Sequence, residues 1–131
     1  MQEEVLRVAF NEANENEGEA LLQTVCGARL KSVDFVLDYL ILGFDERGAL
    51  TTLVWPEIHD GDALLRFGTS GYRDRLCELI ERVVRTVKIS EDETICITFE
   101  NDNRLRIPLR NHKAPGERAI FTAPQNHLAV W

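Results

Sequence analysis

The segment His59-Asp60-Gly61-Asp62 carries the side chains that could most readily do chemistry. An imidazole and two carboxylates could bind a metal ion or share a proton. His59 and Asp60 are adjacent, however, and the segment lacks a second, distant pair of ligands. Calcium loops alternate several more oxygen ligands over about twelve residues. The sequence therefore favours an exposed polar loop that contains His59, Asp60 and Asp62, and we predict no metal site.

The three cysteines, Cys26, Cys77 and Cys96, give no sign of a nucleophilic or zinc site. Cys26 precedes a glycine, Cys77 falls on an amphipathic helix and Cys96 on the outer face of a strand, so each is typical of a small packed thiol. An odd number without CxxC spacing also argues against disulfides and favours a reducing cytoplasm. Nucleophile-elbow and phosphate-binding glycine motifs are absent from the sequence. We therefore predict no catalytic residue and no cofactor.

A basic stripe and a terminal tryptophan are the candidate interaction residues. Arg104, Arg106 and Arg110 fall at positions that share one face of a strand. A strand that binds nucleic acid would interleave such a stripe with exposed aromatic residues. This strand has none and the net charge is −7, so nucleic acid is not the expected partner. A solvated outer face is the first interpretation, and contact with an anion or an acidic protein is the alternative. Trp131 would mark an interface if it were exposed.

The chain that carries these side chains contains an internal sequence repeat, with one copy at residues 30–56 and the other at residues 84–109. The matching anchors are Ser32-Val33 with Thr86-Val87, Phe44-Asp45 with Phe99-Glu100, and Leu50 with Leu105, with one residue inserted between the first two anchors. Alternating apolar residues within each copy predict strands joined by short turns, and a segment with helical spacing precedes each copy. The predicted unit is therefore a helix followed by three antiparallel strands.

The remaining segments complete the predicted fold. We expect a short helix at 2–10, a loop or linker at 11–18, helices at 20–25 and 71–82, a connection at 57–70, a loop at 111–116 and a C-terminal hairpin at 117–131. The length of 131 residues suits one domain. Two three-stranded units with one apolar face each should pack as a sandwich or a partly open barrel. The predicted class is α+β, mainly antiparallel β, with a tandem αβββ pseudo-repeat whose units span about 20–56 and 71–109.

Three segments carry a resemblance to a known family: the opening of each copy of the repeated pattern, and a tail near the last residues of the sequence. The openings are Cys26-Gly27-Ala28-Arg29-Leu30 with Val33 and Phe35, and Leu79-Ile80 with Val84 and Val87; the tail is Gly116-Glu117-Arg118-Ala119-Ile120-Phe121 with Val130-Trp131. They resemble a family of small uncharacterised bacterial αβ domains with tandem hairpin repeats and a GxExAIF…VW tail, over roughly residues 20–131. The second opening has Arg82 where the first has Gly27. The family carries no agreed activity, and some similar small acidic proteins are immunity proteins against toxins.

The function expected from these observations is non-catalytic protein binding, in bacterial immunity or regulation. Acidic residues concentrate within 1–25 and basic residues within 104–131, and such asymmetry can steer a charged partner. The alternative is a small ligand-binding protein or enzyme that uses the 57–70 loop and the C-terminal loops. Exposed sheet edges favour a homodimer. No apolar run approaches the roughly 20 residues needed to cross a bilayer, and the acidic start is unlike a secretory signal, so we expect a cytoplasmic protein.

Overall fold

The structure, a computed structural model, describes residues 11–12, 15–110 and 116–131, and within them the chain is mostly antiparallel β-sheet with two short α-helices. The elements are β1 (Asn11–Glu12), α1 (Glu15–Leu22), a 3-10 turn (Gln23–Val25), β2 (Leu30–Val36), β3 (Tyr39–Phe44), β4 (Ala49–Thr52), β5 (Glu57–Asp60), β6 (Ala63–Leu65), α2 (Tyr72–Glu78), β7 (Val84–Ile89), β8 (Thr94–Phe99), β9 (Arg104–Pro108), β10 (Ala119–Ala123), a 3-10 turn (Pro124–Asn126) and β11 (His127–Val130). The α+β class is therefore confirmed.

Two sheets contain these strands. The first has the order β1-β11-β10-β4-β3-β2, and the second has the order β6-β5-β9-β8-β7. All neighbours are antiparallel except β1, which lies parallel to β11. Inward residues of both sheets belong to one hydrophobic cluster, in which Phe44 and Phe99 are both 0% exposed. Both phenylalanines are thus buried, as the sequence predicted.

The three-stranded meanders β2–β4 and β7–β9 have the same register. Leu30 pairs with Phe44 in the first meander, and Val84 pairs with Phe99 in the second. Each meander has its register shift directly after that pair, and Leu42–Leu50 in one corresponds to Ile97–Leu105 in the other. Four residues separate the paired residues Phe35 and Leu40, and five separate Ile89 and Ile95, so the additional residue lies in the β7–β8 connection.

Each meander receives the hairpin that follows the other one in the chain. The hairpin β5–β6 comes after β4 but pairs with β9, whereas β10–β11 comes after β9 but pairs with β4. The C-terminal hairpin is confirmed. The prediction of a polar loop and connection at 57–70 is wrong for residues 57–60 and 63–65, because Ile58 is buried opposite Leu105 and draws this segment into the second sheet.

The starts of β2 and β7 bond to each other in a symmetric way. The N–H of Leu30 donates to the oxygen of Arg82 at 3.0 Å, and the N–H of Val84 donates to the oxygen of Ala28 at 2.8 Å. Gly27 has a φ of +88°, and the residue that matches it is Glu81, with a φ of +79°. The sequence alignment that placed Arg82 opposite Gly27 was therefore one residue out.

The helices also differ from their predicted limits. Residues 15–18, expected in a loop, begin α1, since acidic residues are favourable in the first turn of a helix. The second helix, expected over 71–82, ends at Glu78, because left-handed Glu81 turns the chain into β7. The helix expected at 2–10 and nearly all of the loop expected at 111–116 lie outside the described residues. No helix that the structure describes is long and apolar enough to cross a bilayer.

Candidate functional site

A cluster of aromatic rings surrounds Arg73 at the start of α2. The guanidinium carbon of Arg73 lies 5.8 Å from the ring centres of Phe35 and Phe67, whose exposed fractions are 37% and 43%. Phe67 stacks on Trp55 with 4.1 Å between ring centres and an interplanar angle of 28°. We call Phe35, Trp55, Phe67 and Arg73 the aromatic patch.

Four separate parts of the chain supply the aromatic patch. Phe35 is near the end of β2, Trp55 follows β4, Phe67 follows β6 and Arg73 is in the first turn of α2. Buried Tyr72 fixes the start of α2, because its hydroxyl donates a hydrogen bond to the carbonyl oxygen of Pro56. Burial, and secondarily the nearby Glu57 carboxylate, raise the pKa of Tyr72 far above its ordinary value, so the hydroxyl remains a donor.

A depression open to solvent lies beside the aromatic patch. Its volume is about 350 Å³, and Phe67, Gly68, Thr69 and Arg73 are among its lining residues. This volume is at the low end for small-molecule sites and would hold a few side chains of a partner. Phe67 and Tyr72 line it together with Thr69 and the charged residues Arg73 and Asp74, so it can take an apolar group with a polar end.

Arg73 is chemically available to a partner. It forms no ion pair within the described part of the chain, and its only described interactions are with the two rings. A cation over an exposed ring gains about 0.5–1 kcal/mol, and its donors stay open to a carboxylate. Exposed aromatic residues beside an arginine are the composition that is enriched in the centres of protein interfaces.

The predicted polar residues are placed on and beside β5 rather than in an open loop. His59 and Asp60 are on β5, and Asp62 is in the β5–β6 turn. Asp60 bonds to Arg75 of α2, so it ties the helix to the second sheet. Asp62 is exposed. No group of three or more His, Cys, Asp and Glu side chains among the described residues could hold a metal ion.

His59 lies in a cationic environment. Burial lowers the pKa of His59 first, followed by the charges of Arg106 and Arg104 on the neighbouring strand, while Glu57 opposes them. The His59 Nε2 is buried without a hydrogen-bond partner and is 3.9 Å from Glu57 Oε1. The positive charges of the arginines around His59 would repel a metal cation from the ring.

The structure brings Arg104 and Arg106 together but places Arg110 and Trp131 elsewhere. Arg104 and Arg106 share the outer face of β9, where Arg106 is 3.8 Å from Asp92. Arg110 lies beyond the end of β9 and is 3.4 Å from Glu93.

Trp131 directly follows β11 of the first sheet and is half-buried. Its N–H donates to the oxygen of Ala119 at 2.9 Å, and its ring packs so closely on Gly18 of α1 that a Cβ there would lie 3.4 Å from it. The Trp131 side chain therefore has a packing role in the described structure. It follows β11 of the first sheet, whereas Arg104 and Arg106 lie on β9 of the second sheet.

The aromatic patch was not predicted from the sequence, and Phe35 was noted only as part of the first opening of the resemblance. The available signal was Phe67, a single large apolar residue among the arginine, glycine, threonine and serine residues at 66–71. The chain matches no family model, and searches of curated proteins and of solved structures found no match. The geometry of the described residues is thus the basis for a functional proposal.

Proposed function

We propose that this protein is a non-catalytic protein-binding module and that the aromatic patch is its binding surface. One observation carries the proposal. The Arg73 guanidinium lies 5.8 Å from the ring centres of both Phe35 and Phe67, which are exposed, and Arg73 has no ion-pair partner among the described residues. Such an arrangement leaves apolar area and five hydrogen-bond donors ready for a partner. The family resemblance extends the proposal to a role in bacterial immunity or regulation in the cytoplasm.

Two carboxylates near the second sheet support binding over catalysis, because they already have structural partners. Asp60 holds Arg75, and Glu57 accepts a hydrogen bond from Arg66 at 2.9 Å. The rival proposal is a small ligand-binding protein or enzyme that uses the 57–70 segment. The depression beside Phe67 favours it, since that cavity belongs to the same segment. A small ligand that raises the melting temperature of wild type but not of Phe67→Ala would support this rival.

For the architecture, we propose a tandem pseudo-repeat packed as a two-sheet sandwich. The matched register of the two meanders, with a shift at the same step in each, supports a duplication. The reciprocal hairpins extend the unit from αβββ to αβββββ, over about 15–65 and 72–130. The shared hydrophobic cluster supports face-to-face packing of the sheets.

The function is tested by affinity capture with matched variants. Wild type, Phe67→Ala, Arg73→Ala and the control Lys88→Ala are immobilised and exposed to extract of the native cell. Lys88 is an exposed cationic residue of β7 in the second sheet, away from the aromatic patch along the sheet order. We expect one partner to be retained by wild type and Lys88→Ala and lost by the two patch variants. Equal retention by all four proteins would contradict the proposal.

A further inference from the structure

The side of the first sheet that faces away from the core carries almost no charge. Along its strands, buried residues alternate with exposed or partly exposed ones, and the latter point outward. The pairing register places them in two rows that run across the strands. The first row is Asp34, Ile41, Thr51, Ile120 and Val130, and the second row is Ser32, Gly43, Ala49, Thr122 and Leu128. We call the residues of these two rows the neutral face, since Asp34 is their only charged member.

The matching positions on the second sheet are mostly polar or charged. The two meanders share a register, and the hairpin β5–β6 meets β9 as the hairpin β10–β11 meets β4. In the same order, the equivalent rows are Lys88, Cys96, Arg106, Glu57 and Arg66, and then Thr86, Thr98, Arg104, His59 and Leu64. Both acidic and basic side chains stand there, so the backbone accepts charge at these positions. The solvent side of an antiparallel sheet is usually polar, and the neutral face departs from that rule.

No helix in the described ranges covers the neutral face. The buried residues of α1 and α2 belong to the core, on the opposite side of the sheet. Ile41, Ile120, Leu128 and Val130 are only partly buried. A contiguous apolar surface, unlike single scattered apolar residues, marks an interaction site.

The neutral face has a relief that complements itself. Ile41 and Ile120 give the first row a ridge of branched side chains, whereas Gly43 and Ala49 make the second row a trough. The rows are about 7 Å apart, since alternate residues of a strand are separated by two steps of roughly 3.4 Å. A two-fold axis across the strands, midway between the rows, places the ridge of one copy over the trough of the other. Ile41 then lies over Gly43 of the second copy, and Thr51 lies over Ala49.

Charge also favours a second copy of this chain as the occupant. An identical face brings no like charges together at its centre, because Asp34 lies at the margin, on the edge strand β2. The same axis places Asp34 over Ser32 of the second copy, whose hydroxyl can donate a hydrogen bond to the carboxylate. A partner bound through charge would require charged residues across this face. In a two-fold interface each contact occurs twice, which is what a self-complementary relief provides.

We propose that this protein forms a homodimer in which the neutral faces of two copies pack together about that two-fold axis. The interface is a sheet face, not the exposed edges from which a homodimer was expected, and the two first sheets lie about 10 Å apart, as packed sheets do. Five strands about 4.8 Å apart and roughly 14–20 Å long give each copy a patch of roughly 300–450 Å². This area is smaller than that of stable dimers, so we expect a dissociation constant on the order of 10–100 µM.

The dimer goes beyond the binding function of the aromatic patch. Phe35 alternates with Asp34 and Val36 along β2, so its side chain lies on the opposite side of that strand from the neutral face. The aromatic patch therefore stays accessible in the dimer, which presents two copies of it. A partner with two binding segments would gain avidity from this arrangement.

Sedimentation equilibrium of the full chain, from about 5 µM to about 1 mM in about 0.15 M salt, measures the association. The main variant combines Ala49→Arg with Thr51→Arg, which gives β4 the residues that β9 has at the matching positions, Arg104 and Arg106. Arginines of the two copies would then face each other, so the dissociation constant should rise at least tenfold. The net charge changes from −7 to −5 because two cations are added, and this change alone would strengthen association by reducing repulsion. Both positions are partly exposed, so the variant should keep a cooperative thermal transition close to that of wild type.

The reverse exchange is the matched control. Arg104→Ala combined with Arg106→Thr gives β9 the residues of β4 and leaves the neutral face intact. It should dimerise as wild type does, because salt screens charges that are more than roughly 8 Å apart. Phe67→Ala should also dimerise as wild type does, so the tests of the dimer and of the aromatic patch can fail independently.

Several outcomes would overturn the proposal, and each points to a different occupant or surface. A wild type that is monomeric at 1 mM has no such interface, and if removal of residues 1–10 then allows it to dimerise, those residues occupy the neutral face instead. Equal dissociation constants for wild type and the Ala49→Arg, Thr51→Arg variant would place the dimer on another surface, such as a sheet edge. Loss of association in the Arg104→Ala, Arg106→Thr control alone would place it on the second sheet.

Discussion

At the scale of single residues, the two halves of the chain differ most clearly in which residue type adopts a left-handed backbone conformation. Gly27 and Glu81 adopt nearly the same φ at matching turns, yet only one of them is glycine. A side chain at positive φ costs roughly 1–2 kcal/mol because Cβ crowds the following carbonyl. The chain accepts this cost at Glu81, whose N–H donates to the Leu30 oxygen at 2.7 Å and so joins the two sheets.

Replacing Glu81 by glycine should therefore stabilise the protein. We expect Glu81→Gly to raise the free energy of unfolding by about 0.5–1 kcal/mol, the relief of strain less the greater entropy of unfolded glycine. Gly27→Ala is the mirror variant and should lower it by about 1 kcal/mol, since nothing lies within 4 Å of an added Cβ and only backbone strain acts. Urea unfolding of both variants measures the change. A destabilised Glu81→Gly would show that the glutamate side chain has a role of its own.

His59 should make stability depend on pH. Its pKa is held below the ordinary 6.5, so the unfolded chain binds a proton at higher pH than the folded chain does. The stability that the neutral ring contributes is complete above pH 6.5 and is lost as the pH falls toward the folded pKa. An NMR titration of the His59 ring should give a midpoint below 6.5.

The matching unfolding experiment compares His59→Gln with wild type at pH 7.5 and pH 5. We expect the variant to lose less stability on acidification than wild type does. A His59 midpoint at or above 6.5, or equal acid sensitivity in both proteins, would contradict the cationic environment of His59.

At the scale of elements, strands with clean alternation were predictable and those defined by distant partners were not. The meanders were predictable because residues such as Ile95, Ile97 and Phe99 repeat every second position. The hairpin β5–β6 was missed because its strands span only four and three residues. Its single inward anchor on β5, Ile58, meets a partner at Leu105, and no local pattern reveals such a pairing.

The aromatic patch was unpredictable for the same reason. It requires the end of β2, the segments after β4 and after β6 and the start of α2 to meet, and each contributes only one of its residues. The basic stripe, by contrast, was predictable as far as Arg104 and Arg106, since alternation along one strand defines a face. Arg110 falls outside β9, so strand periodicity no longer applies to it.

The C-terminal strand should be essential to the first sheet. β11 pairs with both β10 and β1, so deleting residues 127–131 removes two ladders as well as the Trp131 ring. We expect a lower melting temperature for the deletion and a smaller decrease for Trp131→Ala, which keeps the backbone pairing. Calorimetry measures both, and an unchanged melting temperature in the deletion would show that the tail does not contribute to the folded core.

At the scale of the whole molecule, the exchanged hairpins make each sheet depend on both halves of the chain. The first sheet cannot be completed without β10–β11, and the second cannot be completed without β5–β6. The starts of β2 and β7 are also bonded reciprocally. Unfolding of either half should therefore disrupt the other, and the free energy of opening should be shared by both sheets.

Ile58→Ala tests this coupling. Ile58 is 1% exposed on β5, so its truncation should cost about 2–5 kcal/mol. If unfolding is cooperative, hydrogen exchange at the Phe44 amide in the first sheet and at the Phe99 amide in the second should lose the same free energy of protection. Phe121→Ala, at the matching position on β10 and 0% exposed, should give the reciprocal result. Protection lost only in the sheet that carries the substitution would mean that the two sheets unfold independently, in spite of the exchanged hairpins that join them.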